Sequence, residues 1–207
     1  MIKFKEKKLI IFDLDGVLIS SLDNMKKSWN NTVSKFSIDK DFKKYKDYIG
    51  KPFKDILSSL KIETKHHRYI EKEFKKNSIK NLNLIKFYPK VYTTLKYLKK
   101  NYRIAVLTSK DKSRTLKILK MLKIKFDKIQ CPEKNYKGKP HPDLLIKLIK
   151  NLKIKKKNAV YIGDTKYDLL ASRSAGIDFI LAKYGFKIGL KKYKFNINKF
   201  EKLKKIF

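Results

Sequence analysis

Five short apolar runs constrain the fold most: KLIIFDL (8–14), RIAVLTS (103–109), KIQCP (128–132), NAVYIGD (158–164) and DFILA (178–182). Each is too short for a stable helix, is rich in β-branched residues, and is almost continuously hydrophobic instead of alternating. That is the mark of strands buried on both faces of a parallel sheet. Parallel neighbours need crossovers, and the intervening segments supply them. Residues 91–101, 112–124, 142–154 and 167–177 place apolar side chains at three- and four-residue spacing with lysines opposite, and Gly176 is placed to cap the last of them. Strand, helix, strand in this order predicts a doubly wound, Rossmann-like α/β fold. Its five-stranded parallel sheet would have a binding crevice at the carboxyl ends of the strands.

The stretch between the first two strands is far longer than one crossover needs, so a second unit is inserted there. Its segments 23–36, 53–60 and 66–79 read as amphipathic helices, with IGKP (49–52) as a turn. The expected division is a core made of 1–19 and 86–207 and a helical insert over 20–85. Past Gly185, KYKFNINKF and EKLKKIF are expected to add a short edge strand and a closing helix.

Charge narrows the function classes less than it first suggests. Fifty-four Lys plus Arg against 19 Asp plus Glu give a net +35, which invites an anionic partner such as nucleic acid. Only Arg68, Arg103, Arg114 and Arg173 are arginine, however, and phosphate and base readers favour the planar guanidinium fork. Abundant Lys, Ile and Asn with scarce Ala and Gly fit a biased coding composition spread over solvated faces. No apolar run approaches the ~18 residues of a membrane span. A lone cysteine, Cys131, rules out an internal disulfide, and a cytoplasmic location is the simplest expectation.

The chemistry-bearing residues fall just past the expected strands. They are Asp13 and Asp15, then Thr108 with Ser109, then Lys139 in GKPHPD, then Asp164 and Asp168 in GDTKYD. An acid after a strand is often only a helix N-cap, but a cap needs one carboxylate and leaves the other of the Asp13/Asp15 pair unexplained. Lys139 taken alone is one lysine among many, and its case rests on the flanking Gly138 and Pro140. Strand ends converge on one crevice in a doubly wound sheet, so carboxylates, a hydroxyl, helix-start amides and a lysine would meet there.

FDLDGVLISS, VLTSK, KPHPD and YIGDTKYD, in that order and over nearly the whole chain, resemble the four motifs of the haloacid dehalogenase superfamily. The similarity is to its phosphoglycolate phosphatase-like branch with a helical cap. The resemblance implies a Mg²⁺-dependent phosphatase acting on a small phosphorylated metabolite through an aspartyl phosphate on Asp13. It implies Asp15 as the acid and base, whose backbone carbonyl, rather than its carboxylate, joins Asp13 and Asp164 on the metal. Thr108, Ser109 and Lys139 would bind phosphate, and Asp168 would orient Lys139 or a metal-bound water. Val17 and Ser109 depart from the threonine and asparagine usual at those places.

Three rival readings remain at this stage. A dehalogenase would not need Asp15. A sugar-phosphate mutase of the same superfamily would want a histidine where this chain has Met25. A basic nucleic-acid-interacting module would retain the catalytic set only as a vestige. His141 is expected on a solvent-facing loop, His66 and His67 on the surface of the insert, Cys131 in the core, and Trp29 in the core of the insert.

Overall fold

The computed structural model describes residues 4–207. In chain order the elements are β1 (Leu9–Phe12), β2 (Ile19–Ser20), α1 (Leu22–Lys35), α2 (Phe42–Lys46), α3 (Phe53–Ser59), α4 (Thr64–Lys80), β3 (Lys86–Phe87), α5 (Val91–Leu98), β4 (Arg103–Leu107), α6 (Lys112–Leu122), β5 (Lys128–Gln130), α7 (Asp143–Asn151), β6 (Ala159–Gly163), α8 (Lys166–Ala175), β7 (Asp178–Ala182), β8 (Asn196–Ile197) and α9 (Leu203–Ile206).

The five expected strands form one parallel sheet, and β8 joins its edge as a sixth, in the order β5-β4-β1-β6-β7-β8. Side chains alternate across β1. Ile10 and Phe12 pack with Ile118 and Leu122 of α6 and with Leu95 of α5, whereas Leu9 and Ile11 pack with Leu148 of α7 and Leu169 of α8. Helices cover both faces, so neither register could be polar, which is why the strands read as unbroken apolar runs.

Because β4 and β6 flank β1, the strand order reverses there, and the crevice opens at the carboxyl ends of these three strands. The register pairs Phe12 with Val106 on one side and with Ile162 on the other. Residues just past Phe12, Leu107 and Gly163 therefore emerge at one level.

Among the described residues, those between β2 and β3 form helices and turns with a separate core in which Trp29, Tyr45, Leu57, Ile70 and Phe74 pack together. Trp29 stacks obliquely on Tyr45, and its Nε1 donates to the Lys40 carbonyl at 2.7 Å. The antiparallel β2–β3 pair closes the base of this insert. Neither that pair nor α2 was expected from sequence; two-residue strands and a five-residue helix are too short to leave a periodicity. No helix among the described residues is long and apolar enough to cross a membrane.

Candidate active site

β1 delivers Asp13 to the mouth of the crevice, and the Asp13 amide extends the ladder by donating to the Ile162 carbonyl at 2.9 Å. The chain then turns at Gly16, at φ +82, where a Cβ would lie 2.1 Å from Asp164 Oδ2. Only glycine both accepts that conformation and lets the turn close onto Asp164.

Four charged side chains interlock beneath the mouth. Lys139 Nζ lies 3.1 Å from Asp13 Oδ1 and 2.7 Å from Asp168 Oδ1, and donates to the Tyr161 hydroxyl at 3.3 Å. Tyr161 in turn donates to Asp168 Oδ1 at 2.8 Å. The other Asp168 oxygen accepts from the Asp164 amide and from the amide and hydroxyl of Thr165 at 3.2, 3.0 and 2.6 Å, so Asp168 also closes the capping box that starts α8. Both Asp168 oxygens are thus occupied by donors. Asp164 differs. Its Oδ2 accepts from the Phe186 amide at 2.6 Å, but Oδ1 is buried without a hydrogen-bond partner. Asp13, Asp164 and Asp168 each offer an oxygen within 4.8 Å of the others.

Burial and mutual repulsion govern how these acids titrate. Burial pushes the Asp13 carboxyl up to about 7, against the pull of Lys139. Burial, reinforced by the charges of Asp168 and Asp13, holds Asp164 well above the usual carboxylate range. Asp168 is held below that range despite its burial, because Lys139, Thr165 and Tyr161 all favour its anion. Burial opposes the Lys139 charge, but Asp13 and Asp168 more than offset it and raise the ammonium above its ordinary value. An oxygen left bare on a carboxylate that resists ionising is a place for a cation. The all-oxygen donor set, with Asp164 Oδ1 unpartnered, fits a hard divalent ion.

Asp15 turns away from this cluster. Its Oδ1 accepts from Ser21 Oγ at 2.5 Å and pairs with Lys110 Nζ at 3.2 Å. Thr108 follows β4 and is buried; its Oγ1 accepts from the Lys110 amide at 3.1 Å and keeps its own proton to donate. Ser109, at the same strand end, instead reaches across to the insert and donates to the Gly50 carbonyl at 2.6 Å.

Asp13, Asp15, Thr108, Ser109, Lys110 and Lys139 line one cavity of ≈ 50 Å³ between core and insert. The insert contributes an apolar wall that includes Met25, Tyr45, Phe53 and Phe74. Outside it lies a wider cleft of ≈ 970 Å³, where lysines alternate with Asp55, Glu71, Asp111 and Glu133.

Sequence reasoning missed three participants. Lys110 and Arg114 are buried cations on the cavity wall, and Tyr161 carries a buried hydroxyl from the middle of β6. Lys110 lies inside VLTSK, but in so lysine-rich a chain nothing singles it out. His67 departs from its expected surface position: it is buried at the foot of α4, with Nε2 2.8 Å from the Ile62 carbonyl. His66 is exposed, His141 is exposed on the rim of the wider cleft, Cys131 is buried, and Trp29 is buried in the insert core.

The family model described as haloacid dehalogenase-like hydrolase matches residues 10–182. A phosphoglycolate phosphatase from Aquifex aeolicus is 29% identical over 184 residues, covering 86% of each chain. The pyrophosphatase PpaX from Halalkalibacterium halodurans is 27% identical over 88% of this chain and 86% of its own. A haloacid dehalogenase-like family hydrolase from Streptococcus pneumoniae superposes with a TM-score of 0.83 over 98% of this chain and 99% of its own; at 22% identity that likeness concerns the fold.

Proposed function

The chain belongs to the haloacid dehalogenase-like hydrolases, and on that footing we propose that it is a Mg²⁺-dependent phosphatase of small phosphorylated metabolites with Asp13 as nucleophile. One observation carries the reading. A buried lysine is clamped between Asp13 and Asp168, within a cluster that leaves one Asp164 oxygen bare.

Asp13 Oδ1 is held by the Leu14 amide at 2.8 Å and by Lys139, whereas Oδ2 has no hydrogen bond among the described residues. Oδ2 is therefore the atom to attack phosphorus. As the Asp13–phosphorus bond forms, the bond from phosphorus to the leaving oxygen breaks, and Asp15 gives that oxygen a proton. In the second half Asp15 takes a proton from water, the water oxygen bonds to phosphorus, and inorganic phosphate leaves with Asp13 restored as a carboxylate. Asp15 suits both halves because Ser21 and Lys110 orient it on one oxygen and leave the other free.

Lys139 offsets the repulsion between the Asp13 carboxylate and the phosphoryl oxygens, and the Thr108 hydroxyl and Ser109 amide complete the phosphoryl pocket. Mg²⁺, held by the carboxylates of Asp13 and Asp164 and the backbone carbonyl of Asp15, would supply the remaining positive charge against that repulsion. Asp168 acts through Lys139 and the α8 cap. Residues 20–85 serve as a cap over the core of 1–19 and 86–207, excluding bulk water from the cavity.

Relatives named for phosphoglycolate and pyrophosphate support a small substrate. So does the cavity: one water needs roughly 10–15 Å³ of such volume, so ≈ 50 Å³ admits only a small group. A mutase is disfavoured by the buried thioether of Met25, which cannot carry a proton. A nucleic-acid role is disfavoured by the acids that interrupt the wider cleft. A screen of phosphorylated metabolites with and without Mg²⁺, run beside Asp13→Asn, tests the reading. Activity surviving in the variant would sink it.

A further inference from the structure

Resting on the phosphatase reading, we propose that Arg114, helped by the Tyr45 hydroxyl, selects substrates that carry a second anionic group on the leaving side of the scissile bond. Arg114 lies in the first turns of α6, where the capping residue Asp111 accepts from its amide at 3.1 Å and from its Nε at 2.5 Å. One edge of the guanidinium is thereby fixed. Its face lies over the Phe74 ring of the insert, 5.4 Å from the centroid. Asp111 engages only Nε: the two terminal nitrogens have no hydrogen bond among the described residues, although Arg114 is only 5% exposed.

Tyr45 repeats the pattern from the opposite wall. It is 3% exposed, its ring packs on Trp29 and Phe74, and its hydroxyl has no hydrogen bond among the described residues. Burial and Arg114 are the two largest influences on its titration, the first raising and the second lowering its pKa, so the hydroxyl and the guanidinium sense each other. Both line the small cavity, and Arg114 also lines the wider cleft, which puts it at the junction through which a leaving group would extend.

The other cations of the cavity are committed elsewhere. Lys139 is clamped by Asp13 and Asp168, and Lys110 is paired with Asp15. Lys51 donates to Ser59 Oγ at 3.0 Å and lies over the rings of Tyr48 and Tyr167. The free edge of this largely buried guanidinium opens into the cavity beside Ile49, Ile56 and Phe53, where an anion would complete it. Planar, paired donors suit two oxygens of one carboxylate or phosphoryl group.

The test compares kcat/KM for 2-phosphoglycolate, pyrophosphate and acetyl phosphate in the parent, Arg114→Met and Tyr45→Phe. These probes share the transferred group; the leaving side carries a carboxylate, a phosphoryl group and no charge respectively. Arg114→Met is expected to lower kcat/KM for one or both anion-bearing probes by roughly 100-fold more than for acetyl phosphate. The probe that suffers identifies the anion. Tyr45→Phe, which keeps the ring packing, is expected to shift the same ratio the same way by roughly 10-fold. An unchanged ratio in both variants overturns the inference and leaves an Asp13-dependent phosphatase standing. Full activity of Asp13→Asn in the same assay overturns the phosphatase reading itself.

Discussion

Replacing Asp164 with asparagine should stabilise the metal-free protein while destroying its response to Mg²⁺, and the two effects have different sources. In the parent, Asp164 Oδ1 is buried with no partner, and the carboxylates of Asp13 and Asp168 lie within 4.8 Å. An asparagine keeps an oxygen for the Phe186 amide and offers those carboxylates an N–H₂ donor where the parent has an unpaired oxygen. Relieving an unsatisfied buried acceptor is worth about 1–3 kcal/mol. At ~2–4 °C per kcal/mol for a chain of this size, Tm in EDTA should rise by roughly 2–12 °C. The pH dependence has a definite sign. A carboxyl whose pKa is raised on folding binds its proton more tightly in the folded state, so it destabilises the fold at neutral pH and ceases to do so once the unfolded chain is also protonated. The advantage of Asp164→Asn should therefore narrow as pH falls toward the ordinary carboxylate range. With Mg²⁺ the order reverses: the parent gains about 2.7 kcal/mol at a hundredfold excess over Kd, and the variant gains little. Differential scanning fluorimetry in EDTA and in Mg²⁺ reads both effects. A variant less stable than the parent in EDTA, or one that Mg²⁺ shifts just as far, would refute the assignment of Asp164 as a cation ligand.

Asp168→Asn should do the opposite in EDTA, because an amide cannot accept from the five donors that converge on Asp168 and would leave Lys139 with one partner fewer. Breaking such a buried pair costs about 3–5 kcal/mol, read as a fall in urea midpoint at constant m-value. Ser109→Ala removes the bond to the Gly50 carbonyl that ties the strand end to the insert. A loss of about 1 kcal/mol is expected, together with faster proteolysis of the insert than of the core.

The sheet was legible because both its faces are covered: short, β-branched and continuously apolar, 8–14, 103–109, 158–164 and 178–182 read as buried strands. The positions of Asp13, Asp15, Thr108, Lys139, Asp164 and Asp168 were legible from spacing, since each follows a strand or opens a helix at the same end of the sheet. What the spacing could not convey was which lysine mattered beyond Lys139. Lys110 is buried only because the turn after β4 drops it beside Asp15, and that contact joins residues far apart in sequence. His67 was misplaced for a related reason. Helical periodicity puts it on the line of Ile70 and Phe74, but two adjacent histidines among lysines read as surface. The β2–β3 pair was invisible because its four residues meet across the whole insert.

The excess of positive charge separates into two populations once burial is known. Among the described residues only Lys7, Lys110, Arg114 and Lys139 are buried cations. Lys7 holds Asp178 at 2.6 Å at the far end of the sheet, and the other three converge on one cavity. Exposed pairs such as Lys65–Glu63, 69% and 68% exposed, contribute little in water, so most surface lysines are interchangeable as far as stability goes. A biased composition can set their number without touching function. It cannot explain Arg114. In a chain whose default cation is lysine, Arg68, Arg103 and Arg173 lie exposed on the surface, and Arg114 is the arginine that folding buries. A lysine there could pair with Asp111, but it could not do so and still offer a planar pair of donors to the cavity. The guanidinium at this position is thus accounted for by what it leaves unpaired.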